Sequence, residues 1–231
     1  MKVKTFQGLA RISALILLVT AMGITGCATN RGVVSLQLPD STIETETNGE
    51  EVYIESVIDQ RVFQENPKTQ DIPSLGFGGS ADATDDIKKR AIARKRNGFG
   101  KALGDILLEE GQTVETVITA ALNRSFLETG YKIISDEKNI SENTIIVKAT
   151  IEKFWAYMTP GFWAITLSSD IATDIDLILN GTSSKTVSVH SDGKYQLATE
   201  ANWMEIIDLA VQKYMSELKK EVLQFQSSSK S

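Results

Sequence analysis

The feature that most constrains the fold is a two-residue alternation of apolar and polar side chains between residues 143 and 198. Residues 145 to 151 place an apolar side chain at every second position, and residues 171 to 179 largely repeat the pattern. Such alternation is typical of strands with one buried face. Asn180-Gly181 follows, and both residues favour the positive φ angles of a two-residue hairpin turn. The pattern predicts an antiparallel meander of three long strands.

Two amphipathic segments predict the main helices. Residues 113 to 130 carry apolar side chains at helical spacing, with Thr113 suited to the N-cap and Gly130 to the position after the last turn. Residues 202 to 225 show the same spacing, and Asn202 begins a pattern similar to a capping box. The second helix is predicted to close the fold.

A further strand and a long loop are predicted before the first main helix. Residues 52 to 61 alternate with period two, which places Val52 and Ile58 on one face. Residues 64 to about 111 are rich in proline and glycine, so we expect a surface loop with a helix inside it over residues 85 to 96. Together the elements predict an α+β fold, an antiparallel sheet of about four to six strands with two main helices packed on one face.

The N-terminus carries the pattern of an export signal. Basic residues accompany an almost wholly apolar run from Ile12 to Ile24, which is shorter than the roughly 20 residues needed to span a bilayer. The run ends in Ile24-Thr25-Gly26-Cys27, which resembles the lipobox of bacterial lipoproteins. The resemblance implies a cleaved signal peptide over residues 1–26. It also implies a covalent lipid, diacylglycerol and an N-acyl chain such as palmitate, on Cys27.

Cys27 also bears on location and on folding. The next residue is Ala28, whereas Asp at that position favours retention in the inner membrane in the class that the motif resembles. The resemblance therefore implies a protein anchored in the outer membrane and facing the periplasm. Because Cys27 is the only cysteine, the chain has no intrachain disulfide and must fold on its core alone.

Length and charge bound the exported part. About 205 residues remain after cleavage, enough for one domain with a substantial core. We predict a lipidated tether over residues 27–51, a single α+β domain over 52–225 and a disordered tail over 226–231. The signal holds three of the 24 basic residues and none of the 30 acidic ones, so the exported chain is acidic. An acidic, exported domain is a poor candidate for binding nucleic acid.

The order of motifs along the chain can be compared with a known family. A strand ends in Asp59-Gln60-Arg61, a helix closes in Gly130-Tyr131, and Asn180-Gly181 joins two strands before a C-terminal amphipathic helix. Over about residues 52 to 225 this layout resembles the YajG-type family of uncharacterised bacterial outer-membrane lipoproteins. The resemblance implies a lipid-anchored envelope protein of unassigned activity and supplies no catalytic residues. In the first motif, we predict a structural ion pair through which Arg61 holds the following loop.

Six cations lie within nine residues of the predicted loop, in an otherwise acidic chain. They are Lys88, Lys89, Arg90, Arg94, Lys95 and Arg96. One interpretation is a solvated helix face whose charge is offset by Asp82, Asp85 and Asp86 just upstream. The other is a patch that contacts anionic lipid headgroups, lipopolysaccharide phosphates or an acidic partner, which is reasonable beside a lipid anchor.

Five aromatic residues flank the predicted turn at Thr159-Pro160-Gly161. They are Phe154, Trp155, Tyr157, Phe162 and Trp163. Cross-strand packing within the sheet is one explanation for them. Strand alternation also places some of these rings on the face opposite the core, where an exposed aromatic hairpin tip is a candidate partner surface.

Residues suited to catalysis are few. His190 is the only histidine and lies within a predicted strand, so a hydrolase triad or a metal site is hard to build. Asp170, Asp174 and Asp176 share one strand face, which we interpret as the solvated face of the sheet. We therefore predict no catalytic residues, no metal and no cofactor other than the covalent lipid.

These observations favour a non-enzymatic, lipid-anchored envelope protein. We expect an adaptor or accessory binding protein of an envelope complex, attached to the outer membrane and contacting an envelope protein or a cell-wall component. A periplasmic carrier of a small ligand or lipid is an alternative that requires a deep apolar cavity. A carboxylate-dependent glycan hydrolase is a second alternative that requires facing carboxylates about 5 to 9 Å apart in a cleft.

Overall fold

A computed structural model describes residues 31–38, 46–76, 78–96 and 102–229. Arg31–Ser231 forms one compact unit. The predicted signal peptide and Cys27 lie outside the described residues. Their predicted roles therefore rest on the sequence.

The described residues form eight strands and three helices with one short 3-10 turn, Glu137–Asn139. The strands are β1 (Gly32–Val34), β2 (Glu51–Asp59), β3 (Ala91–Arg96), β4 (Ala102–Leu108), β5 (Lys132–Ile133), β6 (Thr144–Thr159), β7 (Ile165–Ile178) and β8 (Thr182–Tyr195). The helices are α1 (Asp85–Arg90), α2 (Val114–Glu128) and α3 (Glu200–Ser229).

All eight strands belong to one mixed sheet, so the predicted antiparallel sheet of four to six strands is wrong. Strands β6, β7 and β8 form the predicted antiparallel meander, which is confirmed. The pairs β1–β4, β2–β5, β2–β6 and β3–β6 are parallel. Parallel neighbours need a long crossover rather than a hairpin, and the distant stretches of chain that pair here leave no local signal in the sequence.

Strands β2 and β3 share one edge of β6. Strand β7 follows the opposite edge of β6 along almost its whole length. Strand β2 pairs with residues 144 to 151 of β6, and β3 meets β6 further on, where Ala93 faces Ala156. The chain between residues 60 and 90 therefore leaves the sheet at the end of β2. It returns at β3, which pairs with the same edge of β6 closer to the C-terminal end of that strand.

The predicted loop over residues 64–111 contains α1, β3 and β4, and the predicted helix over residues 85–96 ends at Arg90. Ala91, Ile92 and Ala93 are fully buried, because β3 lies between two other strands and is covered on both faces. An apolar run of this kind is typical of a central strand, although its flanking charges suggested a helix.

The predicted domain boundaries also need correction. Strand β1 pairs with β4, and Val34 and Leu36 are buried in the main core, so the folded unit begins well before residue 52. At the other end α3 continues through Ser229, past the predicted start of a disordered tail at residue 226. Side chains of α3 are buried on the core as far as Phe225, which extends the amphipathic pattern to the last turns.

The main core lies between the sheet and the helices α2 and α3. It includes Phe126 of α2, Phe154 of β6 and Trp203 and Tyr214 of α3, all nearly inaccessible to solvent. A smaller cluster on the opposite side of the sheet joins Leu75, Ala91, Leu107 and Trp155. The segment that follows β2 covers this second cluster, since Phe63 and Leu75 both belong to it.

Strand β2 buries only some of the side chains that its alternation places on the core face. Val52 is fully buried and Ile54 packs on the same core, as the alternation indicates. The register then shifts between Ile54 and Ser56, which marks a β-bulge. Because a bulge adds one residue, Val57 packs on the core and Ile58 is exposed instead.

The ends of the two main helices follow capping rules. Thr113 is the N-cap of α2 and exchanges hydrogen bonds with Thr116, and Gly130 takes a positive φ of 91° after the helix, as predicted. The predicted cap of the last helix is wrong by three residues. The Thr199 hydroxyl accepts from the backbone N–H of Asn202 at 3.2 Å, so Thr199 takes the capping role.

Candidate binding surface at one end of the sheet

The register places one residue from each of six strands on a single row across the sheet. The row consists of Gly32, Ile106, Ala93, Ala156, Ser169 and Ser191. Beyond this row in one direction lie the hairpin between β6 and β7, the C-terminal end of β3 and the start of β4. Two hairpin connections and the start of β1 therefore meet at one end of the sheet.

We call this end of the sheet the hairpin end and define it by six residues. They are Arg31, Arg94, Lys95, Arg96, Phe162 and Trp163. Arg31 immediately precedes the row, residues 94 to 96 follow it along β3, and the two aromatic residues lie in the β6–β7 turn. The hairpin end thus combines part of the predicted aromatic surface with part of the predicted basic patch.

Phe162 and Trp163 are the exposed part of the aromatic set. They are 89% and 83% exposed, and their rings meet edge to face with centroids 4.8 Å apart. A Cβ atom on Gly161 would collide with the Ala164 carbonyl oxygen, so the turn needs glycine there. This tight turn presents both rings to solvent, as an aromatic hairpin tip requires.

The other three aromatic residues do not belong to that surface. Phe154 is buried in the main core. Trp155 is buried on the opposite side of the sheet, where it packs edge to face on Phe63 at 5.9 Å and donates its indole N–H to the Gln70 carbonyl. Tyr157 is half-buried beside that cluster, and burial is the main cause that raises its pKa. The prediction that all five form a partner surface is therefore wrong for Phe154 and Trp155.

The cations of α1 have mainly structural contacts. Arg90 is buried, donates from Nε to the Leu108 carbonyl at 2.8 Å and pairs with Asp86 at 3.0 Å. Lys89 pairs with Glu115 of α2 at 3.2 Å. The predicted solvated helix face is therefore wrong for Arg90, which is buried, and for Arg94, Lys95 and Arg96, which belong to β3.

Arg94 and Arg96 lie side by side on β3 and share one neutral partner. Their guanidinium groups donate to the Ser74 hydroxyl at 3.0 and 3.2 Å. Within the described residues the buried Nε of Arg94 has no hydrogen-bond partner. Burial, and next the nearby positive charge of Arg94, lower the pKa of Arg96. The two guanidinium groups therefore place positive charge close together on β3.

Asp105 fixes the surroundings of this pair. Its side chain is fully buried, accepts from the Gly76 backbone N–H at 2.9 Å and pairs with Nε of Arg31 at 3.3 Å. It faces Arg94 across the β3–β4 pair. Sequence reasoning missed Asp105, although an aspartate inside the apolar run of residues 102 to 108 is a signal of a buried polar contact.

Arg61 confirms the predicted ion pair and does more than hold a loop. It makes two hydrogen bonds to Asp59 at 2.8 Å each. It also donates to the backbone carbonyls of Ala91 and Phe154 at 2.7 and 2.9 Å and to that of Lys88 at 2.8 Å. These carbonyls lie where β2 ends and β3 begins, so one guanidinium closes the gap along the edge of β6.

The aspartates of β7 lie in cross-strand contacts, in line with the solvated-face interpretation. Asp174 and Asp176 accept from the hydroxyls of Thr186 and Ser184 at 2.6 and 2.5 Å. Asp170 contacts His190 at 2.6 Å and Lys153 at 2.9 Å. Desolvation acts to lower the pKa of Lys153, but Asp170 and then Asp71 outweigh it and the pKa is raised.

Four open surface depressions lined by described residues have volumes of about 320 to 400 Å³. One is lined by Leu36, Leu38 and residues at the start of α2, and another by Leu177, Leu179 and Phe225. Between the sheet and the helices, large side chains such as Trp203 and Phe126 occupy the interior. Among the described helices, none combines the length and apolar character of a membrane span.

The chain was compared with known proteins. No family model matches the sequence, and no curated protein matches it significantly. A Xanthomonas campestris protein of the DUF330 family is 12% identical with a TM-score of 0.47, covering 88% of this chain and all of its own. A minor lipoprotein from Acinetobacter baumannii is 9% identical with a TM-score of 0.31, covering 46% of this chain and 85% of its own. At these values neither structure assigns a family or a function to the chain.

Proposed function

We propose that the protein is a non-enzymatic, lipid-anchored accessory protein of the bacterial envelope and that the hairpin end is its binding surface. Its anchor is the lipid on Cys27, and its location is the periplasmic side of the outer membrane. Both follow from the lipobox-like sequence Ile24-Thr25-Gly26-Cys27 and from Ala28. The membership of the YajG-type family belongs to the same proposal and rests on the order of motifs.

The exposed pair Phe162 and Trp163 is the observation that carries the binding role. Large aromatic side chains are usually buried, and an exposed aromatic pair beside cations is typical of a contact surface. Both rings lie directly after Gly161 in a tight turn and are mostly exposed to solvent. Arg94 and Arg96 at the same end of the sheet add positive charge to the surface.

The geometry supports the alternative functions less well. A small-ligand carrier needs space between the sheet and the helices, where Phe126, Phe154 and Trp203 pack as core residues. A carboxylate-dependent hydrolase needs two carboxylates facing each other in a cleft. Asp174 and Asp176 instead follow one another along a strand and hydrogen-bond to hydroxyls of β8.

Site-specific photo-crosslinking in living cells tests the binding role. One variant carries a photoreactive residue in place of Phe162, which is 89% exposed. The matched control carries the same residue in place of Thr182, the exposed first residue of β8, directly after the hairpin turn at the opposite end of the meander. Adducts are separated by size and identified by mass spectrometry.

We expect a discrete protein or lipid adduct at position 162 and a clearly weaker one at position 182. Both probes are exposed and lie in or directly beside a hairpin turn, so unequal capture reports contact rather than accessibility. Equal capture at both positions, or none at position 162 in a folded and membrane-associated protein, would contradict the assignment of the hairpin end as the binding surface.

A further inference from the structure

We propose that the hairpin end docks directly on a bilayer that contains anionic phospholipids and so fixes the orientation of the folded unit on the membrane. The inference rests on the proposed lipid anchor and names the partner of the same surface. Three independent features support it: where the chain enters the sheet, which side chains the hairpin end exposes, and what charge it carries.

The start of β1 lies at this end of the sheet. Strand β1 runs parallel to β4, which starts at the hairpin end, so Arg31 and Gly32 also lie there. Cys27 is five residues before Gly32, a reach of at most about 17 Å. Gly32 lies on the same row as Ala156, from which β6 extends over a similar distance to the turn at Gly161. A lipid on Cys27 therefore keeps the hairpin end within reach of the bilayer surface.

The exposed side chains fit the membrane interface. Trp has an apolar ring system with a polar N–H, and it is enriched at the level of the headgroups. Phe162 beside it supplies an apolar ring that is stable among acyl chains but exposed to water in the isolated protein. The turn projects both rings past the last strand residues, Thr159 and Ile165, which is the geometry that shallow insertion needs.

The charge of the hairpin end fits lipid phosphates. Arg94 and Arg96 present two guanidinium groups around Ser74, and guanidinium binds phosphate oxygens in a bidentate manner. Anionic lipids attract cations that lie near the membrane surface. Without the predicted signal, the chain has 21 basic and 30 acidic residues, a formal net charge of −9, so an anionic bilayer repels the rest of the molecule and attracts this end.

A bilayer is favoured over a protein partner because the proposed lipid anchor already holds the protein at the membrane. A tether of a few residues raises the effective concentration of the membrane surface around the hairpin end, so that even a weak contact between the two forms. If a protein crosslinks to the hairpin end and lipid does not contact it, the partner of this surface is that protein and not the bilayer.

Tryptophan fluorescence of the lipidated, full mature protein in vesicles tests the contact. Trp163 is the exposed tryptophan, while Trp155 and Trp203 are 1% and 0% exposed. Vesicles of phosphatidylethanolamine and phosphatidylglycerol are prepared with and without phospholipids brominated on their acyl chains, which quench tryptophan only at close range. Trp163→Phe is the matched variant, since it keeps an aromatic ring and removes the reporter.

We expect brominated lipids to quench the wild type and to have little effect on Trp163→Phe. In a double variant, Gln replaces both Arg94 and Arg96. The equilibrium constant for docking of the hairpin end should fall about fivefold for each charge removed. It is obtained from the quenched fraction over a series of phosphatidylglycerol contents. Circular dichroism and the unchanged emission of the buried tryptophans check that this variant is folded.

Flotation with the vesicles separates the two proposals. Protein that floats and is quenched supports docking. If the protein floats but Trp163 stays unquenched and accessible to acrylamide, the proposed anchor is supported and docking of the hairpin end is contradicted. Protein that neither carries lipid by mass spectrometry nor floats overturns the proposed anchor and, with it, this inference.

Discussion

Arg61 connects the end of β2 and the start of β3 through hydrogen bonds from one guanidinium group. Its guanidinium donates to Asp59 and to the backbone carbonyls of Lys88, Ala91 and Phe154, which lie near the change from β2 to β3. Buried carbonyls of this kind need a donor, because unpaired polar groups are costly in the interior. Arg61 therefore substitutes for a missing stretch of β-ladder along β6.

Replacing Arg61 with Met should lower the free energy of unfolding by about 3 to 5 kcal/mol, because a carboxylate and several carbonyls then remain buried without a donor. Arg61→Lys should recover only part of the loss, since an ammonium cannot reproduce the planar fork. Urea denaturation measures both variants.

The control for Arg61 is Lys220→Met on the exposed face of α3, where Lys220 pairs with Glu217 one turn away. We expect that change to cost less than about 1 kcal/mol. If Arg61→Met proved no more destabilising than the control, the bridging role of Arg61 would be refuted.

At the scale of elements, α2 and α3 are joined by a small ion cluster. Glu128 accepts from Arg124 at 2.8 Å and from Lys219 of α3 at 3.4 Å. The hydrogen bond from Arg124, and further the charge of Lys219, lower the pKa of Glu128 below its usual 4.5. The cluster therefore connects the two helices that cover the main core.

The stabilising effect of Glu128 should depend on pH in one direction. Because the pKa is lower in the folded state, the contribution is fully present above about pH 4.5 and is lost as the pH falls through the folded value. We expect Glu128→Gln to reduce the free energy of unfolding by about 1 kcal/mol at pH 7 and to have almost no effect near pH 3.

The measurement for Glu128 is urea denaturation at both pH values, compared with Glu142→Gln, the same chemical change at an exposed loop position. A destabilisation by Glu128→Gln that is equally large near pH 3 would show that its charge is not the cause.

Elements with local signals were predictable from the sequence, and elements with distant partners were not. The β7–β8 turn at Asn180-Gly181 and helix α2 with its Thr113 cap depend on neighbouring residues. Strands β1 and β4 pair with each other in parallel although about 70 residues separate them. Such a pair has no connecting turn whose sequence motif could predict it. The bulge after Ile54 likewise depends on the partner strand.

The candidate surface was predictable in composition but not in detail. Alternation along β6 indicated that the aromatic residues face different ways, yet which side of the sheet is covered depends on the segment after β2. That segment buries Trp155 and leaves Phe162 and Trp163 exposed. The basic patch divides for a similar reason, because α1 gives way to β3 at Ala91 and separates Arg90 from Arg94.

At the scale of the whole molecule, one end of the sheet differs from the rest. It holds the start of β1, exposes an aromatic pair and places two arginines around one serine. An acidic molecule with such an end has a preferred orientation at an anionic surface. In the proposed arrangement, the opposite end with the β7–β8 turn faces the periplasm.

The lipid on Cys27 is the central claim, because both the location and the orientation depend on it. The direct measurement is metabolic labelling with a palmitate analogue, followed by separation of inner-membrane, outer-membrane and periplasmic fractions, for the wild type and Cys27→Ser. We predict a labelled wild type in the outer membrane and an unlabelled Cys27→Ser protein that is absent from that fraction. A wild type without label, or a Cys27→Ser protein with the same label and location, would contradict the account.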